Sequence, residues 1–451
     1  MLTKIFDIST RSLAVYRRAL EVTSHNIANA SNPYFSRQRI IFETDSSDPG
    51  AGNVWGNGVK IGDIRRVRDS LIDSHLINTN PNYSDSFKQS QLIGDVEKIF
   101  SEPSDLGISN LMTSFFNSFN KLSVTPNSTP LRTDVLNAAN NLAAKVNSIN
   151  QSITVLKGDI RNEFKQKVTE VNSILKQIQQ LNVEQYNNSY RGLPVNEILD
   201  RRDQLVSELS KIVNVNVSVD NTNSISVSIG GALAVDRMHA TEFVMEEDNG
   251  SLNLKVKDGS YSVILSGGEL NGLSQVYSQK IPKYKEKLDE VINTLVNAVN
   301  NEHRQGYTNT DPQETGINFF DNYENGILKV NPEIAANVNK IAVSQDGTIG
   351  NGQIGLRISQ LSDAQLINGS TLSEYYSTLI NTLGNDGLLQ SNYAQANQLV
   401  ISQLELQQSS ISGVSIDEEM TNVLKFQRSY EASAKLITVA DEMIRTILEM
   451  V

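Results

Sequence analysis

The sequence predicts a mainly α protein with a β insert: terminal coiled-coil helices, a long helical-bundle middle domain and a small outward-facing β domain. Three patterns predict it. Apolar and small residues recur at alternating spacings of four and three at both ends of the chain. Nearly the same period fills a long middle stretch, and a period-two run of valines follows Lys211.

The N-terminal stripe runs through Leu2, Phe6, Ser9, Leu13, Tyr16, Leu20, Thr23, Ile27 and Ala30. It stops at Asn29-Ala-Ser-Asn-Pro33, where turn formers meet a proline that disfavours helix in the residue before it. The C-terminal stripe runs through Val423, Phe426, Tyr430, Ser433, Ile437, Ala440, Ile444, Ile447 and Val451. Gly413 ends the preceding helix, and Ser415-Ile-Asp-Glu418 reads as a capping box that also places acids at the positive end of the helix dipole.

Between them, Leu142, Val146, Ile149, Ile153, Leu156, Ile160, Phe164, Val168, Val171, Leu175, Ile178 and Leu181 predict one long helix with a break near Gly158. Further helices are expected at about 84–121, 196–212, 281–304, 371–383 and 390–411. Val213, Val215, Val217 and Val219 alternate with polar residues, and Ile225-Ser-Val-Ser-Ile229 and Leu252-Asn-Leu-Lys-Val256 repeat the pattern, so strands are expected there. The stretch at about 305–360, rich in Gly, Asn and Asp, reads as loops and short strands. The expected domains are 1–45 with 400–451 as a coiled-coil tube domain, 60–212 with 271–399 as a helix-rich domain, and 213–270 as the β insert.

Composition narrows the function classes. With 451 residues the chain is long enough for two or three domains, yet only 39% of it is hydrophobic, which favours long helical layers with shallow cores over one thick globule. A net charge of -12 argues against nucleic acid and against anionic lipid, both of which need clustered Lys and Arg. Arg65, Arg66 and Arg68 form the one dense basic stretch, read as a solvated face or an ion-pairing site. Cysteine is absent, which removes disulfides and thiolate chemistry. The N-terminus has no basic segment followed by an apolar core, and no run approaches the roughly 18 apolar residues of a membrane span, so neither a Sec signal nor membrane insertion is expected.

Catalysis finds few parts. His25, His75, His239 and His303 fall in different elements and outside any HExxH pair, so no metal site is expected. The pairs Glu246–Glu247 and Glu418–Glu419 read as a polar loop and a helix start. Ser266-Gly-Gly-Glu-Leu-Asn-Gly272 lacks the lysine of a phosphate cradle and reads as a turn. No catalytic residue, cofactor or metal ligand is assigned.

The two terminal stripes carry little apolar surface for the number of residues they would order. An ordinary two-helix bundle would use them within one chain. The stripe that runs to Val451 without a polar tail favours assembly instead, with both ends mobile in the monomer and ordered on meeting neighbours.

Specific residues sharpen this. Ser24-His-Asn-Ile-Ala-Asn-Ala-Ser-Asn-Pro33 resembles the signature shared by flagellar axial proteins, and Ser36-Arg-Gln38 is similar to its hook-associated form. Ser412-Gly-Val-Ser-Ile-Asp-Glu-Glu-Met420, Lys425-Phe-Gln-Arg-Ser-Tyr-Glu-Ala-Ser-Ala-Lys435 and Ala440-Asp-Glu-Met443 resemble the C-terminus of the hook-associated protein 1 family. Weaker likenesses occur at Gly267-Gly-Glu-Leu-Asn-Gly-Leu273, Asn300-Asn-Glu-His-Arg-Gln-Gly-Tyr307 and Thr371-Leu-Ser-Glu-Tyr-Tyr376. One departure is visible: Tyr34-Phe35 follows Pro33 where the family usually has Gly then Tyr.

The resemblance implies a non-enzymatic structural subunit at the junction between hook and filament. It implies a homo-oligomeric ring between the hook protein and a second junction protein. It also implies passage through the flagellar type III export apparatus without a cleaved signal peptide, a cytosolic export chaperone on the C-terminal region, and an extracellular destination. The expected assembly interface comprises Leu13, Leu20 and Ile27 packing against Tyr430, Ile437 and Ile444 within or between subunits, with Phe426 and Ile447 on the same stripe. Asn26, Asn29, Arg37 and Gln38 are expected to fix the turn beneath. The alternatives are another axial subunit, such as a hook or distal rod protein, and a secreted adhesin-like binding protein with a helical stalk. Incorporation into the polymer separates the last from the others.

Overall fold

The computed structural model describes residues 2–45, 56–102, 104, 106–259 and 262–449. In chain order its elements are α1 (Leu2–Ala28), β1 (Gln38–Thr44), β2 (Val59–Arg66), α2 (Ser70–Phe100), α3 (Ile108–Val124), α4 (Thr129–Tyr190) and α5 (Asn196–Ile212). Six strands follow: β3 (Val215–Val219), β4 (Ile225–Ile229), β5 (Ala232–Val235), β6 (Phe243–Asp248), β7 (Ser251–Val256) and β8 (Ser262–Val263). The chain then returns to helix with α6 (Gly268–Gln275), α7 (Ile281–His303), the short α8 (Pro332–Ala336), α9 (Gln353–Gln360), α10 (Leu372–Ser412) and α11 (Ile416–Glu449). A π-helical turn, Val276–Lys280, joins α6 to α7. The protein is mainly α with small antiparallel sheets, as its period predicts.

Two compact units divide the chain. The first comprises Met1–Pro81, Asn172–Thr241 and Asn397–Val451; the second comprises Asn82–Val171 and Glu242–Ala396. The expected insert at 213–270 therefore does not stand as one body. Strands β3-β4-β5 form one three-stranded sheet and β6-β7-β8 another. The first sheet is held in its unit by Asn182 of α4, whose amide brackets the backbone of Ile225 at 2.9 and 3.2 Å. The second is held in the other unit, where the Ser278 hydroxyl accepts from the Leu252 amide at 3.1 Å and the Ser274 hydroxyl donates to the Leu252 carbonyl at 2.6 Å.

Several helix boundaries differ from the periodicity, for local reasons. Gly158 does not break α4: Ile153 and Ile160 are both buried, and packing outweighs the roughly 1 kcal/mol that a mid-helix glycine costs. The helix expected at 84–121 is two helices, α2 and α3. The first starts earlier because the Asp69 carboxylate accepts from the backbone N–H groups of Leu71 and Ile72 at 2.9 and 3.4 Å, satisfying two orphan donors. It tolerates Pro81 within the helix and ends before Ser101, which sits at φ 52. The segments expected at 371–383 and 390–411 are one helix, α10. Its Gly384-Asn-Asp-Gly387 stretch stays helical because Asp386 accepts from the Tyr284 hydroxyl at 2.7 Å and pairs with Lys280 at 3.0 Å.

The second unit has an aromatic centre in which Phe115 and Phe119 of α3 meet Phe319 and Phe320 with ring centroids 5.3–5.6 Å apart. The irregular chain around those two phenylalanines is pinned by asparagines that stand in for a missing strand. Asn300 of α7 accepts from the Phe319 and Phe320 amides and donates to the Phe320 carbonyl, and Asn147 of α4 brackets Leu328 at 2.8 and 2.9 Å. Here the asparagine-rich composition has a structural use, since each side chain supplies backbone-like groups to a segment that pairs with itself only through isolated bridges.

His303 extends this pinning and gives it a pH dependence. The ring is fully buried; Nδ1 lies 2.7 Å from the Ile317 carbonyl and Nε2 accepts from the Ala342 amide at 2.8 Å. The neutral ring with its proton on Nδ1 satisfies both, and a second proton would break the Ala342 bond. Burial holds its pKa down at about 4. Because the folded value lies below the unfolded one, the unfolded chain binds more protons between pH 6.5 and 4, and stability is lost as pH falls through that window. The loss at pH 4 is expected to be on the order of 3 kcal/mol, from 1.36 kcal/mol per unit. Urea unfolding at pH 7 and pH 4 should show it, with a flatter dependence in His303→Gln; equal slopes in both proteins would assign the effect elsewhere.

Candidate assembly interface

The first unit brings the two ends of the chain together. Helices α1 and α11 pack against each other, and Ala19, Val22 and the strand residue Ile40 form a buried cluster against which Phe426, Ile61 and Ile64 pack. Strands β1 and β2 pair antiparallel beside it, and Phe42 of β1 faces Phe426 with centroids 6.0 Å apart.

The face that α1 buries is Ser9, Val15, Ala19, Val22, Thr23 and Asn26. Leu13, Leu20 and Ile27 lie beside that face and are half-buried. On α11 the only fully buried residues are Glu419, Ser433 and Ala440, with Phe426, Ile437 and Ile444 half-buried, Tyr430 37% exposed and Ile447 50% exposed. Small residues at the contact let the backbones approach, and the larger side chains of the stripe are left at its margins. Val451 lies outside the described residues, as does the side chain of Leu2.

α11 also carries a second apolar row, which shares only Ile447 with the first stripe. Leu436, Val439, Met443 and Ile447 recur at spacings of three and four, and Leu436 and Met443 are 52% and 48% exposed. Among the described residues all four stay between 37% and 52% exposed.

Beneath the helix pair, the chain turns between Asn29 and Gln38. Asn26 brackets the Gln38 backbone, its amide donating to the carbonyl at 2.9 Å and its oxygen accepting from the N–H at 2.9 Å. The Asn29 amide donates to the His25 carbonyl at 3.0 Å, closing the helix end. Arg37 reaches the start of α11. Its Nε donates to Glu419 Oε1 at 2.8 Å, its Nη1 donates to Glu418 Oε2 at 3.0 Å, and its backbone N–H donates to the Ser412 carbonyl at 3.0 Å. The second oxygen of Glu419 accepts from the Asn26 amide at 3.1 Å. The hydrogen bond to Glu418 holds the Arg37 guanidinium more firmly protonated than usual, and the same bond draws the Glu418 carboxyl below its ordinary range.

This changes the reading of Glu418 and Glu419. Ser415 Oγ accepts from the Glu418 N–H at 3.5 Å, one half of a capping box, but the Glu418 carboxylate turns to Arg37 instead of completing it. Glu419 is not solvated: it is 2% exposed and fully engaged. The signal for both was the single arginine of Ser36-Arg-Gln38, a cation with no acid near it in sequence. The basic stretch resolves the same way. Arg66 pairs with Asp200 and Asp203, each at 2.8 Å, and Arg68 pairs with Asp73 at 2.9 Å and with Asp203. Asp200 also accepts from the Ser36 hydroxyl at 2.6 Å, tying the turn to α5. Where the family has Gly-Tyr, Phe35 sets its ring edge-on to His25 at 5.3 Å while Tyr34 is exposed.

Among the described residues no group of three or more His, Cys, Asp or Glu is placed to hold a metal ion, and no helix is long and apolar enough to cross a membrane.

The chain is similar to flagellar hook-associated protein 1 of Bacillus subtilis (strain 168), with 27% identity over 98% of this chain and 97% of that one. It is 22% identical to flagellar hook-associated protein 1 of Salmonella typhimurium over the full length of both. The solved flagellar hook junction protein FlgK from Burkholderia pseudomallei shares the fold, with a TM-score of 0.65 at 16% identity, covering 75% of this chain and all of that one. Residues 407–450 match the C-terminal family model of the flagellar basal body rod FlgEFG proteins, which contains α11. The helical-domain model of flagellar hook-associated protein FlgK matches residues 93–320, just over half of the chain, and the chain belongs to that family.

Proposed function

We propose that this chain joins hook to filament by building itself into the flagellar tube through the paired helices α1 and α11. The family makes it a structural subunit of the hook–filament junction of the external flagellum. The finer reading is that its subunits close a homo-oligomeric ring between the hook protein and a second junction protein. The tube domain is 1–45 with 400–451, and its interface comprises Leu13, Leu20, Ile27, Phe426, Tyr430, Ile437, Ile444 and Ile447 above the turn held by Asn26, Asn29, Arg37 and Gln38. We assign it no catalytic role. Export runs through the flagellar type III apparatus without a cleaved signal peptide, with a cytosolic chaperone guarding the C-terminal region until then.

One observation carries this reading: α11 spends its small residues on α1 and leaves Leu436, Val439, Met443 and Ile447 between 37% and 52% exposed. Half-exposed side chains of this size gain about 1 kcal/mol each when a neighbour covers them. Repeated over every subunit of a ring, that gain drives assembly without being needed to fold the monomer.

Leu436→Glu with Met443→Glu tests it. The purified double variant is expected to keep a thermal midpoint close to the parent's, since each residue is about half exposed, while the number of filaments on cells falls at least about tenfold. A normal filament count would remove this stripe from the assembly surface.

A further inference from the structure

We propose that Asn26, Arg37 and Glu419 form a register key that selects which heptad of α11 lies against which heptad of α1. Apart from Phe426, the apolar contacts between these helices do not choose a register by themselves. The buried positions of α11 after Glu419 are Ser433 and Ala440, seven residues apart and both small, and α1 offers Ser9, Val15, Ala19 and Val22. A slip of one heptad would set small residues against small residues again at those positions, and only Phe426, which packs on Ala19, Val22 and Ile40, would lose a large apolar contact.

The polar cluster has no such equivalent. Seven residues after Glu419 comes Phe426, and seven before Asn26 comes Ala19. In the observed register every polar atom is satisfied: Glu419 Oε1 takes Arg37 Nε at 2.8 Å and Nη2 at 2.8 Å, and Oε2 takes Asn26 Nδ2 at 3.1 Å. Asn26 has its remaining groups on Gln38, and Arg37 has its outer nitrogens on Glu418. In the slip that sets Ser433 against Val22, Phe426 takes the place of Glu419 and Lys425 that of Glu418, so the Asn26 amide and the Arg37 guanidinium lose the carboxylates they bond here. Fixing register through one buried polar group is the best-attested use of such groups in helix pairs. These three are positioning residues. They decide which side chains of α11 face outward, and through that they decide the surface offered to the next subunit, a consequence that rests on the assembly reading above.

The chain's lack of cysteine makes the register directly readable in the full-length protein. Val22→Cys with Phe426→Cys reports the observed register, because Phe426 packs on the cluster that contains Val22. Val22→Cys with Ser433→Cys reports a slip of one heptad. Treated with a short bismaleimide, the parent background should link the first pair and leave the second at background. In Glu419→Ala, and separately in Asn26→Ala, linkage of 22 to 433 is expected to rise at least about tenfold at the expense of 22 to 426. Glu419→Gln, which keeps a hydrogen-bond acceptor for Asn26 but loses the charge, should fall between. Retention of the first pair alone in the alanine variants overturns the proposal. So does loss of both linkages, since the cluster would then hold the helices together without choosing their register. None of these readouts depends on filaments, so the key can fail while the junction role stands, and the reverse.

Discussion

Deleting residues 426–451 is expected to leave the second unit folded and to abolish filament attachment altogether. The deletion takes Phe426, Ser433 and Ala440 away from α1, so Val15, Ala19 and Val22 lose the surface that covers them. It also removes the whole bare stripe from Leu436 to Ile447. It spares Glu418 and Glu419, so the turn at Arg37 keeps its hydrogen bonds to the first turn of α11. It touches none of the residues that build the second unit, whose aromatic centre and asparagine brackets lie within 82–171 and 242–396. Limited proteolysis should therefore recover an intact fragment of the second unit from parent and truncated protein alike. Electron microscopy of cells carrying the truncated chain should show hooks without filaments. A shorter deletion, 441–451, loses Met443, Ile444 and Ile447 but keeps Phe426, Ser433 and Ala440, and should give a partial defect. Normal filaments on the longer deletion would show that the C-terminal helix is dispensable for the joint.

The fold was readable where burial is periodic. The stripes of α1, α4 and α11 and the alternating valines of β3 each repeat the geometry of their element, and period is what a sequence displays best. What depends on a partner was not readable. The two halves of the β segment look alike in sequence, and side chains from elsewhere, Asn182 and Gln185 for the first and Ser274, Tyr277 and Ser278 for the second, tie each to its unit. Gly384 and Gly387 look like a helix break until Asp386 finds Tyr284 and Lys280. Asparagines that bracket a backbone carry no period at all, which is why the pinned region around 317–330 reads only as part of a stretch of loops and short strands.

The interface shows the same division. Leu13, Leu20 and Ile27 repeat every seven residues and draw the eye, yet the face that α1 buries in its own chain is Val15, Ala19, Val22 and Asn26, at spacings of four, three and four. Both sets have coiled-coil spacing, so spacing cannot choose between them. The choice falls to the small residues of α11 and to Glu419, a carboxylate that looks like one more acid at a helix start. It takes the position of an anchor only because Arg37 and Asn26 arrive from more than 380 positions away in sequence.

Hydrogen exchange on the purified monomer should separate the chain ends from the middle by about 100-fold or more in protection, because opening free energies follow local burial. In α4 the residues Leu142, Val146, Ile149, Ile153, Ile160, Phe164, Val168, Val171, Leu175 and Ile178 are all buried. Its amides can exchange only when much of a unit opens. In α11, a helix of 34 residues, only Glu419, Ser433 and Ala440 are buried, and two of those side chains are too small to contribute much apolar area. The helix is formed because α1 supplies one partner, yet what holds it is slight against the entropy of ordering so long a segment. Exchange should accordingly be fast over 430–449, slower near Glu419 where the polar cluster ties the first turn, and intermediate along 4–28. If neighbours cover Leu436, Val439, Met443 and Ile447 in assembled junctions, as proposed, the same amides should slow toward the values of α4. Uniform slow exchange over 4–28 and 423–449 in dilute monomer would mean that the helix pair is self-sufficient, and the stripe on α11 would then need another explanation than completion by neighbours.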